Sequence, residues 1–179
     1  MELIIVPVLR FLGVFLLQVF VLNAIEPGFG IHIMVYPLFI AILPFSYNVF
    51  SVLTLSFFLG FIIDIFSNTF GLHASAALTM ALLRPTFYKY FSPRDGYDNL
   101  KQPTVLDMGF RWHLMTFGTL LLVHHLWFFT LESFRFDETF IVLKKTILSG
   151  GITLILCFIL QYIFFKKEKS RRILKAESM

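Results

Sequence analysis

Residues 60–73, GFIIDIFSNTFGLH, close one long apolar run, carry a single acid at Asp64, and turn through a short polar connection into a second run that opens ASAALTMALL. The acid poses the main question, because the sequence around it has the composition of something that lives in lipid. Working outward, apolar runs of about 20 residues recur along the chain, the length needed to cross a hydrocarbon layer about 30 Å thick. Of the 179 residues, 58% are hydrophobic and 18% aromatic, with 24 Phe, and only 15% are charged. That is far from the make-up of a soluble domain. No long polar stretch is left over to house one. The expected fold is an all-α membrane protein, a six-helix transmembrane bundle in one domain.

The spans are expected at about residues 3–22, 33–45, 49–66, 74–90, 110–131 and 146–165, forming a polytopic domain over 1–165 with a basic tail at 166–179. The first run has no basic n-region and no small-residue cleavage site, so it reads as a retained span. The second, IMVYPLFIAILPF, has only 13 residues and two prolines, Pro37 and Pro44, which points to a tilted, kinked or partly re-entrant segment. The stretch SPRDGYDNLKQPTVLDMG, residues 92–109, is rich in Pro, Gly and Asp and reads as a surface loop or short interfacial segment. The single cysteine, Cys157, lies in the last run; it has no intrachain disulfide partner and packs as a small apolar residue.

Basic residues set the orientation. Six of the 15 fall in KKEKSRRILK, residues 166–175, immediately after a span, where such charges fix topology and meet anionic headgroups; nucleic acid is not the expected partner. With six spans, both termini are expected on the cytoplasmic side of the membrane. Lys89, Arg94, Lys101 and Arg111 then fall inside. The connection with Glu132, Asp137 and Glu138 against Arg135 falls outside. Lys144 and Lys145, at the outer start of the sixth span, are the exception. The basic face of Lys89–Lys101 and the tail is a contact for anionic lipid or cytoplasmic components, although ordinary topology explains the same charges.

Asp64 lies two residues from the end of its span, where burial costs less than the roughly 3 kcal/mol of a charge at a helix centre. It still needs a partner, and His73, Lys144 and Lys145 are the candidates. Two roles stay open. It caps the hairpin by accepting backbone N–H groups of the turn, or it is a proton- or cation-coupled site; as the only acid within the spans, it fits the structural role better. The small residues Ala74, Ala77 and Ala81 share one helix face suited to close packing in the bundle or with a partner. Arg10, Gln18 and Asn23 give the first span a sparse polar row, with Arg10 expected to snorkel. His113 and His124 are eleven residues apart, about 16 Å along a helix, too far to share a metal; with His125 they read as interfacial polar residues. No nucleophile elbow, phosphate loop or paired carboxylate occurs, so no enzyme activity, cofactor or metal is expected.

The stretch GFIIDIFSNTFGLHASAALTMALL resembles the signature of the MreD family, the rod shape-determining membrane subunit of bacteria, at Gly60, Asp64, Ser67, Gly71, Leu72, His73 and Ala74. The following LRPTFYKYFSPRDGYDN, with Arg84, Arg94 and Asp95, is similar to the version of that family in Bacteroidota-like bacteria. The resemblance implies a non-enzymatic subunit of the cell-elongation machinery. Its implied partners are the bitopic protein MreC and, directly or indirectly, MreB filaments, RodA and its transpeptidase partner. The family is also similar in architecture to the S-components of energy-coupling-factor transporters, so a vitamin-binding subunit is the alternative. Such S-components present an Ala-x-x-x-Ala face on span one, whereas Leu3 to Leu22 contains no alanine and offers Phe11, Leu12, Phe15, Val19 and Leu22. A small proton-linked transporter or lipid flippase fits less well, since only one acid lies in the spans and no inverted repeat is visible.

Overall fold

The structure, a computed structural model, describes residues 2–25, 28, 30–98, 101–134 and 136–165. The basic run 166–175 and Arg135 lie outside them. The helices are α1 (Glu2–Phe20), α2 (Pro37–Ile42), α3 (Val49–Ser67), α4 (Leu72–Tyr90), α5 (Val105–Met108), α6 (Phe110–Ser133) and α7 (Thr139–Phe164), with 3-10 turns at Leu22–Ala24 and Phe136–Glu138. No strand occurs among the described residues.

Four segments are long and apolar enough to cross a membrane: Ile5–Ala24, Val49–Ser67, Phe110–Ser133 and Thr139–Phe164. Their outward faces carry large bare side chains such as Leu9, Leu16, Phe58, Leu122, Ile147 and Ile155. So much exposed apolar surface suits lipid and not water. Helix α4 is as long as α3, but His73, Ser75, Thr79, Arg84 and Lys89 dilute its apolar run. It packs against both α3 and α6. Ser75 and Thr79 donate to carbonyls of α4 itself, and His73 and Arg84 reach groups of the segment between α1 and α3.

The expected six helices reduce to five long ones, because the second segment is not a membrane-length helix. Residues 31–35 have no regular secondary structure, α2 has only 6 residues, and the chain leaves helical geometry at Leu43. This segment nevertheless runs through the bundle, from His32 beside Ser149 of α7 to Phe45 stacked on Tyr97. Every residue from Met34 to Leu43 is buried. Prolines explain the broken helix: Pro37 has no N–H to donate and sits where a helix tolerates that, at its first turn, and Pro44 stops continuation. Unwound backbone at such depth is tolerable only if protein groups replace water around it.

They do. Gln18 of α1 accepts the Val35 N–H at 2.8 Å and donates to the Ile33 carbonyl at 3.0 Å. Ser149 and Thr153 of α7 accept the N–H groups of His32 and Met34, both at 3.1 Å. At the other end, Arg84 donates to the Leu43 carbonyl and the Tyr88 hydroxyl to that of Ala41. Side chains from α1, α4 and α7 thus take the place of a helical hydrogen-bond ladder.

Candidate functional site

Helix α3 ends where Asn68 turns left-handed, at φ 55°, and its N–H closes on the Asp64 carbonyl. The chain then reverses in four residues and re-enters a helix at Leu72. Gly71 supports that re-entry with φ +95°, a conformation strained for any side chain. One turn deeper, Gly60 lets α3 and α4 touch backbone to backbone: a Cβ there would lie 2.6 Å from Ala74 Cα and 2.7 Å from the His73 carbonyl oxygen.

Asp64 sits in this joint, 5% exposed. One carboxylate oxygen, Oδ1, accepts the Thr69 hydroxyl at 2.6 Å and the His73 N–H at 3.0 Å; Oδ2 accepts the Ala74 N–H at 2.8 Å. Two of the N–H groups that open α4 and have no partner within the helix are thereby satisfied, and the carboxylate faces the positive end of the helix dipole. The cap comes from the preceding helix because the N-cap residue itself, Gly71, has no side chain to offer.

The expected side-chain partners of Asp64 are therefore corrected. His73 reaches it through its backbone, Lys145 pairs with Glu132 at 3.0 Å, and Lys144 is exposed. The ring of His73 points to the crossing segment, its Nδ1 3.1 Å from the Tyr36 hydroxyl, which lies 2.6 Å from Nε2 of His124 on α6. A phenol carries one proton, so one ring accepts it and the other donates to the oxygen. All three side chains are buried.

His124 and His125 are thus not interfacial but fully buried, as is His113, which meets the Gln161 amide at 2.8 Å. His125 Nδ1 lies 2.9 Å from the Leu121 carbonyl. Arg10 does not simply snorkel: it donates to Gln102 at 2.8 Å and lies over the Phe165 ring. Gln18 and Asn23 do pair, at 2.8 Å, and Asn23 donates to Ser67 at the same distance. Ala74, Ala77 and Ala81 are buried inside the bundle, so an outside partner cannot reach that face. Arg94 and Asp95 stand exposed in the loop, remote from the hairpin joint.

No protein family, curated protein or solved structure matches the chain. Its site must be judged on its own chemistry. Beside the joint lies a cavity of about 520 Å³, lined by Gln18, Asn23, His32, Thr69, His73 and Glu132 among others. His32 and Glu132 approach to 3.5 Å there. These groups can hold a small polar molecule through hydrogen bonds.

Tyr36, Gln18, Ser149 and Thr153 did not stand out as a group in sequence. The two prolines of an undersized span were the available signal: a broken crossing needs polar side chains from its neighbours, and these helices carry few.

Proposed function

We propose that the protein is a non-enzymatic integral membrane subunit of the bacterial cell-elongation machinery, of the MreD kind, which binds an MreC-like bitopic protein and helps couple MreB filaments to peptidoglycan synthesis by RodA and its transpeptidase partner. On this reading the chain makes six crossings of the inner membrane, the unwound segment being the second, with both termini in the cytoplasm. The supporting observation is that the residues carrying the resemblance, Gly60, Asp64, Gly71, His73 and Ala74, converge on one helix-to-helix joint. A joint of that kind sets the shape of a bundle, which is what an assembly subunit must present.

The alternative is a vitamin-binding S-component, and the 520 Å³ cavity beside His73 favours it. Purification of the tagged full-length protein from its native membrane in mild detergent, with mass spectrometry of co-purifying proteins and small molecules, separates the two. The scaffold reading expects a bitopic MreC-like protein and cell-wall synthases, with recovery falling in Asp64→Ala. An ATPase with its membrane coupling subunit, or a stoichiometric vitamin, overturns it.

A further inference from the structure

Twelve residues along α4 from Leu72, away from the Asp64 joint, Arg84 is 5% exposed. A guanidinium carries five N–H donors. Among the described residues, Nη2 donates to the Leu43 carbonyl, the Tyr88 hydroxyl is a second hydrogen-bond partner of the group, and no carboxylate pairs with it. Its Nε is buried without a partner. The Tyr88 ring lies 4.6 Å from the guanidinium carbon and supplies some cation–π attraction. That does not replace an anion, and a buried charge left without one is costly.

Arg84 also lines a cavity of about 460 Å³. Lys89 and Ser92, both exposed, stand in the same lining, one wall is apolar through Val49, Val52 and Phe45, and no Asp or Glu among the described residues takes part. The site thus combines a buried cation with unused donors, a second cation, a hydroxyl and an apolar flank. A guanidinium fork matches a phosphate or carboxylate, and an ammonium and hydroxyl beside it favour the group with more acceptor oxygens.

We propose that this cavity binds a phosphate-bearing anion, with Arg84 as the buried anchor and Lys89 as the accessible second cation. The apolar flank suits an acyl chain, which makes an anionic phospholipid headgroup the first source to test; free phosphate has the same chemistry. The site is independent of the hairpin joint and of either functional reading above.

The test uses the full-length protein in neutral detergent. Native mass spectrometry measures retention of palmitoyl-oleoyl phosphatidylglycerol against the phosphatidylcholine of the same chains, and thermal unfolding is followed with and without millimolar inorganic phosphate. Wild type is expected to prefer phosphatidylglycerol by roughly tenfold or more, the scale of losing one charge-assisted hydrogen bond, and Arg84→Gln and Lys89→Gln to lose that preference. Since Arg84 also holds the Leu43 carbonyl, Arg84→Gln changes the support of the crossing segment as well as the cavity; Lys89 is exposed, and Lys89→Gln separates the two effects. Stabilisation of wild type but not Lys89→Gln by inorganic phosphate, without lipid preference, assigns the site to free phosphate. Equal retention of both lipids with no effect of phosphate overturns the proposal, as does a Lys89→Gln protein that binds like wild type.

Discussion

Asp64 and Arg84 are equally buried in one helical hairpin, the first beside its turn and the second well along α4, yet the fold treats them differently. The carboxylate is surrounded: a hydroxyl and two N–H groups fill its oxygens, and it neutralises the start of α4. The guanidinium meets an unwound backbone carbonyl and the Tyr88 hydroxyl, has no carboxylate beside it, leaves Nε without a partner, and lines a cavity. A buried charge with a complete shell belongs to the architecture. A buried charge with an incomplete shell keeps capacity for something that is not part of the chain.

Substitutions on the hairpin and beyond it can break that contrast. The largest effect is expected from Gly60→Leu, because the obstacle is the backbone of α4 and cannot rotate away. A loss of about 3 kcal/mol or more is expected from such overpacking, read as a lowered detergent unfolding midpoint and poor monodispersity. A wild-type midpoint would show that the helices are not held at this distance. Next comes Asp64→Ala, which strands two N–H groups and a hydroxyl at an expected cost of about 2–3 kcal/mol, with lower abundance in the membrane. Normal accumulation and stability would remove Asp64 from the joint.

Arg84→Met should cost only about 1 kcal/mol, since losing the donor to Leu43 is offset by removing a desolvated charge. If it destabilises as much as Asp64→Ala in the same melt, the two charges are alike and the distinction fails. Smallest of all is Lys144→Ala. The side chain is exposed, and its melt should overlay wild type; a clear shift would restore Lys144 as a partner of the hairpin. Lys145→Ala removes a partly exposed pair with Glu132 and should cost no more than about 1 kcal/mol.

The hairpin was legible because its determinants are local. Asp64 and the groups it caps are separated by 5 to 10 residues, the turn contains Asn68 and Gly71, and the apolar runs on both sides announce two helices. Capping of backbone N–H groups is read from the sequence, but the N–H groups are those of His73 and Ala74, just past the turn, and the His73 side chain offered as a partner turns away. Backbone N–H groups are present at every position, so the sequence shows that a cap is needed and not which two of them fill it, whereas a histidine near an acid suggests an ion pair. The histidines of α6 were misjudged for a related reason. Nothing near His124 in sequence shows that Tyr36, 88 residues away, supplies its buried partner.

By itself, the sequence determined that the chain is helical and suited to a membrane, where its long helices lie, that the second segment is too short and proline-rich to be an ordinary span, and that Asp64 belongs to a tight connection. Those properties follow from hydrophobic length, proline chemistry and turn chemistry, each set within a few residues. Only the tertiary structure decided how the broken segment survives. Its N–H and carbonyl groups are met by Gln18, Arg84, Tyr88, Ser149 and Thr153, up to 119 residues away. A polar backbone group withdrawn from water must find a partner, and which distant side chain supplies it is settled by packing.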